Sequence, residues 1–288
     1  MCLIQSFVGE GGRASRSYNS SFSVDLLRAG CGWKTATDSN AFANNGAKVY
    51  FTSRRQDVIE RAAKHWGSSL AHPKGKLVPV TSDITSKDSI KQPVQEISKQ
   101  EDHINLLVNN AGISEGTGDV EKGDESAKYL STELFREDPV SWENVYRTNV
   151  IGCFFMTTAF LPLLHATSHS NSQHTGSVIN ISSISGITRT TQHHYKYNVS
   201  KAAVIHSTLL AQEFRRKAVQ VTGGSDEFNK SQIPVGENYG ENKGIPVCRP
   251  GRDEVIAQAA LLLACNQYAY GQALVIDGRM STIMHCST

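Results

Sequence analysis

Three side chains have the types and spacing of a proton-transfer site: Ser183, Tyr197 and Lys201. In Tyr197-Asn-Val-Ser-Lys201 the phenol and the amine are four residues apart. On a helix that spacing puts both on one face, one turn apart. A phenol, with an unperturbed pKa of about 10, is a poor acid–base at neutral pH. An ammonium one turn away favours the phenolate and tunes the group downward. Such a tyrosine gives a proton to a carbonyl oxygen, or takes one from an alcohol. Ser183 follows an apolar run ending at Ile181 and precedes Tyr197 by fourteen positions, so its hydroxyl is placed to bond the same oxygen. Tyr-x-x-x-Lys alone is common helix decoration. The preceding strand, and a Ser-rich turn closing on Gly186, make it specific.

The elements that must position these groups alternate between strands and helices. Strands are predicted at Lys48–Ser53, Lys76–Thr81, Ile104–Asn109, Gly176–Ile181 and Ala273–Asp277. Helices are predicted at Asp57–Trp66, Ser86–Gln100, within Val140–Ala166, and at Tyr197–Lys217. Pro79 and Pro93 are local objections to their elements. Short strands alternating with helices imply parallel pairing through right-handed crossovers, hence an α/β doubly wound sheet. Such a sheet binds its ligand beyond the carboxyl ends of its strands, where the candidate residues fall. Residues 1–22 read as a flexible Ser/Gly-rich tail, and 23–288 as one domain.

Composition narrows the function classes. With 29 Lys+Arg against 27 Asp+Glu, the net charge of +2 gives no electrostatic case for nucleic acid or a membrane surface. No uninterrupted apolar stretch reaches ~18 residues, so no spanning helix is expected. The six cysteines form no C-x-x-C pair and have no metal-ligand spacing with histidine. Free thiols in a reducing, cytoplasmic setting and no metal are therefore expected. Arg13, Arg16 and nearby serines give a weak mitochondrial-targeting alternative, against which Glu10 counts.

The run Ser177-Val-Ile-Asn-Ile-Ser-Ser-Ile-Ser-Gly186 followed by Tyr197-x-x-x-Lys201 resembles the short-chain dehydrogenase/reductase family. Leu107-Val-Asn-Asn-Ala-Gly112, Arg147-Thr-Asn149, Ser82-Asp-Ile84 and Leu274-Val-Ile-Asp-Gly278 agree with it, so the resemblance covers about 44–288. It implies a Rossmann-type sheet, a nicotinamide cofactor and a homodimer or homotetramer. It also implies a catalytic tetrad of Asn149, Ser183, Tyr197 and Lys201, in which the asparagine holds a proton-relaying water. Ser183 is taken over Ser182 and Ser185 because the family pattern is S-x-x-G. Asp83 would face the adenine, and Asn110, Ala111 and Gly112 would line the cofactor, together with Tyr197 and Lys201. The stretch Gln192–Tyr197 and Thr222–Asp226 resembles fungal reductases labelled 3-oxoacyl-carrier-protein reductase-like, including the rhamnolipid type.

Cofactor choice turns on Thr52-Ser-Arg-Arg55. An acidic residue after the second strand would accept from a ribose 2′-hydroxyl. None is present at 52–55; Ser53, Arg54 and Arg55 instead suit a 2′-phosphate, giving NADP(H) as the expected cofactor. Two departures stand out. The family's glycine-rich phosphate turn has no full counterpart around Gly30-Cys-Gly32, and no apolar strand is evident before it. The Pro-Gly loop after the sixth strand is also missing, since Lys217–Thr222 runs into a polar segment from Gly223. The expectation is thus an incomplete first strand and a shortened substrate loop. Two readings follow: an NADPH-dependent reductase of a small-molecule carbonyl, or a non-catalytic relative or misjoined gene product with impaired cofactor binding.

Overall fold

The computed structural model describes residues 23–27, 35–116, 126–170, 174–189, 193–210, 214, 219–226 and 253–278. Seven parallel strands form one sheet: β1 Ser23–Leu27, β2 Lys48–Ser53, β3 Lys76–Thr81, β4 Leu106–Asn109, β5 Gly176–Ser182, β6 Val219–Asp226 and β7 Ala273–Ile276. Their order is β3-β2-β1-β4-β5-β6-β7, which reverses direction between β1 and β4. This is the doubly wound Rossmann arrangement, and its ligand crevice lies at that reversal.

Two sequence expectations need correction. The first strand is present: Ser23–Leu27 pairs with β2 on one side and β4 on the other, at the centre of the sheet. Its sequence, SVDLL, has too little apolar patterning to be recognised alone. The sixth strand also does not give way to a polar segment at Gly223: Gly223–Asp226 continues it and pairs with β7, its first three residues also with β5. The glycine turn at 30–32, the tail 1–22 and the polar segment 227–250 lie outside the described residues.

Apolar alternation places helices on both faces. Leu107, Val178 and Tyr50 point to one side, where Met156, Phe160 and Leu164 cover them. Leu106, Val108, Ile179 and Val49 point to the other, against Phe42, Ala43, Ala260 and Leu263. Helices α1 Thr35–Asn44, α2 Gln56–Gly67 and α8 Asp253–Cys265 cover the second face; α3 Lys87–Ser98 and α6 Cys153–Thr167 cover the first. Helices α4 Ala127–Phe135, α5 Pro139–Tyr146 and α7 Tyr195–Leu209 are the other α-helices of the described residues.

Both prolines fit their places. Pro79 lies in β3, which pairs only with β2 and so needs no N–H on its free side. Pro93 leaves the Ser89 carbonyl without a helical donor, and the Ser82 hydroxyl donates to it at 3.3 Å.

Helix α5, a π-helical turn at Arg147–Gly152 and α6 form one 29-residue helical run, Pro139–Thr167. By length and composition this run would suit a membrane span. In this fold it packs Met156, Phe160 and Leu164 into the core and carries Asn149 to the site.

The cysteine expectation holds for Cys153, a buried free thiol, and fails for Cys265. Cys265 is disulfide-bonded. Among the described residues no cluster of His, Cys, Asp or Glu could hold a metal.

Candidate active site

The candidate residues gather at the carboxyl ends of β2 to β5, one end of a parallel sheet. Helix α7 carries Tyr197 and Lys201 one turn apart. Lys201 is 4% exposed, and its Nζ donates to the Ile181 carbonyl at 3.0 Å. The same Nζ stands 5.6 Å from the centroid of the Tyr197 ring. A buried ammonium is therefore fixed by the end of β5 and directed at the half-buried phenol.

Ser183 follows β5 and starts a single 3-10 turn, Ile184–Gly186. Its side chain is 1% exposed and accepts from the Ser185 N–H at 3.1 Å. The fourth position of S-x-x-G has a direct physical reason. A Cβ on Gly186 would stand 2.7 Å from both the Ala202 nitrogen and the Lys201 carbonyl carbon. Only glycine lets this turn lie against α7 beside Lys201. Ser182, the neighbouring serine, is used otherwise: its hydroxyl donates to the Lys201 carbonyl at 2.8 Å.

Asn149 lies in the π turn, 1% exposed. Its Oδ1 accepts from the Ile113 N–H at 2.8 Å; its Nδ2 donates to the Ile113 carbonyl at 3.0 Å and to Ser200 Oγ at 2.9 Å. Both N–H bonds are thus committed to protein partners, leaving one lone pair of Oδ1 for any further contact. The side chain pins the segment after β4 to α7. Ser200, fully buried, completes that link by donating to the Tyr197 carbonyl at 2.7 Å. Sequence reasoning passed over Ser200, although it lies inside Tyr197-Asn-Val-Ser-Lys201.

Asn110, Ala111 and Gly112 follow β4 directly. A Cβ on Gly112 would come within 3.3 Å of Lys201 Nζ and 3.5 Å of Asn149 Oδ1, so the chain passes the lysine with no side chain between. Asn109, the last residue of β4, is a buried joint: Nδ2 donates to Thr157 Oγ1 and to Asn180 Oδ1, tying β4 to α6 and β5.

Ser53 ends β2, and its Oγ accepts from the Arg55 N–H at 3.3 Å. Arg54 and Arg55 are exposed, and neither has an ion pair among the described residues. Asp83 is half-buried just past β3; one carboxylate oxygen accepts from the Thr85 N–H at 2.9 Å and its hydroxyl at 2.7 Å. His194 precedes α7, its ring edge-on to Tyr197 at 6.5 Å between centroids, with Nδ1 3.2 Å from Ser114 Oγ. Cys153 lies close enough to Lys201 to feel its charge, yet burial dominates and pushes the thiol up to about 11.

A doubly wound sheet, with a tyrosine–lysine pair, a serine turn and a buried asparagine at its carboxyl edge, defines a class of oxidoreductase. The family model described as short chain dehydrogenase matches residues 29–225. The chain is 36% identical over 258 residues to the short-chain dehydrogenase/reductase PhomF of Diaporthe leptostromiformis, covering 83% of this chain and 84% of that one. It is 30% identical over 249 residues to the 3-oxoacyl-[acyl-carrier-protein] reductase FabG of Chlamydia muridarum, covering 83% and 90%. A solved structure described as a Pseudomonas aeruginosa RhlG/NADP active-site complex matches in fold with a TM-score of 0.72, at 24% identity, over 90% of this chain and 97% of that one. The chain belongs to the short-chain dehydrogenase/reductase family, whose members are nicotinamide-dependent oxidoreductases.

The described residues fit such a cofactor. The reversal of strand order supplies the crevice, Gly112 leaves room against Lys201, and Arg54 and Arg55 present exposed cations at the end of β2.

Proposed function

We propose that the protein is an NADP(H)-dependent carbonyl reductase acting on a small 3-oxoacyl-type substrate. The observation that carries this reading is Lys201, buried, held by the Ile181 carbonyl and directed at the Tyr197 ring. When bound, the cofactor supplies hydride to the carbonyl carbon. Tyr197 gives its phenolic proton to the carbonyl oxygen, and the Lys201 ammonium stabilises the negative charge left on the phenol. The Ser183 hydroxyl donates to the same oxygen and orients it. Asn149 and Ser200 hold α7 and the segment after β4 in fixed relation.

Preference for NADP(H) is supported by Arg54 and Arg55, which suit a 2′-phosphate, and by the absence of an acidic residue at 52–55. The 3-oxoacyl assignment is supported by the likeness to FabG, a 3-oxoacyl-[acyl-carrier-protein] reductase. Self-association through the α6 and α7 faces is supported by Ile151, Phe154, Leu209 and Leu210, all exposed apolar residues. Nicotinamide absorbance, followed with a 3-oxobutanoyl thioester and either NADPH or NADH, tests the reading. Turnover with NADPH at several times the NADH rate is expected. No turnover, with no saturable NADPH binding, would leave the non-catalytic reading standing.

A further inference from the structure

The three residues before Tyr197 each grip a different segment. His194 meets Ser114 after β4, the Tyr195 ring lies 5.9 Å from that of Trp142 in α5, and Lys196 pairs with Glu137. The last contact differs in kind. Lys196 Nζ lies 2.6 Å from Glu137 Oε2, with side-chain exposures of only 6% and 19%. Three other described ion pairs are local i,i+3 or i,i+4 contacts, largely at the surface, and the long-range pair Lys48–Glu101 is more exposed at its lysine, with side-chain exposures of 27% and 17%. The Lys196–Glu137 pair joins residues 59 apart in the chain.

Glu137 sits between α4 and α5. Helix α4 buries none of its own residues; Tyr129 and Leu134 are about half exposed and Phe135 is 93% exposed. Its packing therefore does little to fix its place. Lys196 Nζ also lies 3.5 Å from where a Cβ on Gly116 would be, so the ammonium meets the segment after β4 as well. A buried ion pair adds little stability over apolar residues of similar volume, because desolvation offsets the attraction. What it does supply is geometry.

We propose that Glu137 and Lys196 are positioning residues. Their ion pair clamps the α4–α5 segment onto the turn bearing Tyr197, and so fixes how a carbonyl is presented to the phenol. The inference rests on the reductase reading above. The test is the double variant Glu137→Gln/Lys196→Met, which removes the tether without stranding a buried charge. Its melting temperature should stay close to that of the parent. Amides of 127–135 should exchange at least about tenfold faster, because they would lose the contact that holds the segment. With NADPH and a 3-oxobutanoyl thioester, kcat should fall about tenfold, as small misplacements at a reacting centre do, while NADPH affinity stays within about twofold. Lys196→Arg, which keeps the pair, should restore parental kcat and exchange.

Unchanged exchange at 127–135 would overturn the clamp. Faster exchange with undiminished kcat would overturn its positioning role. If the double variant does not fold, Lys196→Met alone, which strands only the better-solvated Glu137, decides the matter by the same readouts. If the parent protein shows no turnover, the reductase reading fails, while exchange at 127–135 still decides the clamp.

Discussion

Replacing Gly186 with alanine should separate the catalytic groups without removing any of them. The new methyl would sit 2.7 Å from the Ala202 nitrogen and the Lys201 carbonyl carbon, and 3.0 Å from the Lys201 carbonyl oxygen. Ordinary carbon contacts lie at about 3.5–4.0 Å, so the turn and α7 must part by roughly 1 Å. Backbone atoms of a helix cannot rotate aside. Overpacking of this kind costs about 1–3 kcal/mol. The catalytic consequence is larger, because Ser183 begins the displaced turn while Tyr197 and Lys201 stay on α7. A misplacement of about 1 Å at a reacting centre costs on the order of 10²-fold in rate. The assay is NADPH oxidation with a 3-oxobutanoyl thioester, alongside thermal unfolding. Gly67→Ala is the control, since a Cβ there meets nothing within 4 Å. The expected result is a loss near 10²-fold for Gly186→Ala and none for Gly67→Ala. A Gly186→Ala protein with parental rate and melting temperature would refute the close approach of turn and helix.

Other outcomes follow from the same geometry. Asn149→Ala strands buried partners on Ile113 and Ser200, and should lower stability by about 2–4 kcal/mol in chemical unfolding, with parental stability contradicting the network. Changing Arg54 and Arg55 together to alanine should weaken NADPH by about tenfold to a hundredfold per arginine and leave NADH nearly unchanged, as judged by fluorescence titration. Burial pushes the Cys153 thiol from 9.0 up to about 11 and the Tyr50 phenol from 10.0 to about 12. The fold prefers the neutral form of each, so this stability is intact below the unfolded values and is lost as pH rises through the folded ones. Chemical unfolding should therefore show falling stability above about pH 9, and Cys153→Ala should remove the part of that fall between about pH 9 and 11.

Much of this protein was legible because short-range patterns carry it. Apolar runs such as Leu107–Val108 and Val178–Ile179 gave their strands, and Tyr197 to Lys201 gave one face of a helix through spacing alone. Ser183 was separable from Ser182 only through Gly186, and the structure supplies the reason in the contact with Lys201 and Ala202. What was hidden depends on partners distant in sequence. Ser23–Leu27 is a strand because β2 and β4 flank it, not because its own residues demand it. Gly223 and Gly224 extend β6 against their local preference because β5 and β7 supply ladders on both sides. The joining of Asn149 to Ile113 and Ser200 needs a π turn that no residue pattern announces. The same is true of Lys196, whose pairing with Glu137, 59 residues away, no local pattern announces.

The central claim is that Tyr197, set beside Lys201, is the acid that completes carbonyl reduction. It is tested most directly by comparing NADPH oxidation by the parent and by Tyr197→Phe, with a 3-oxobutanoyl thioester and with NADPH affinity measured in parallel. The account predicts a fall in kcat of at least about 10²-fold with little change in NADPH affinity. A Tyr197→Phe protein that turns over near the parental rate would contradict it.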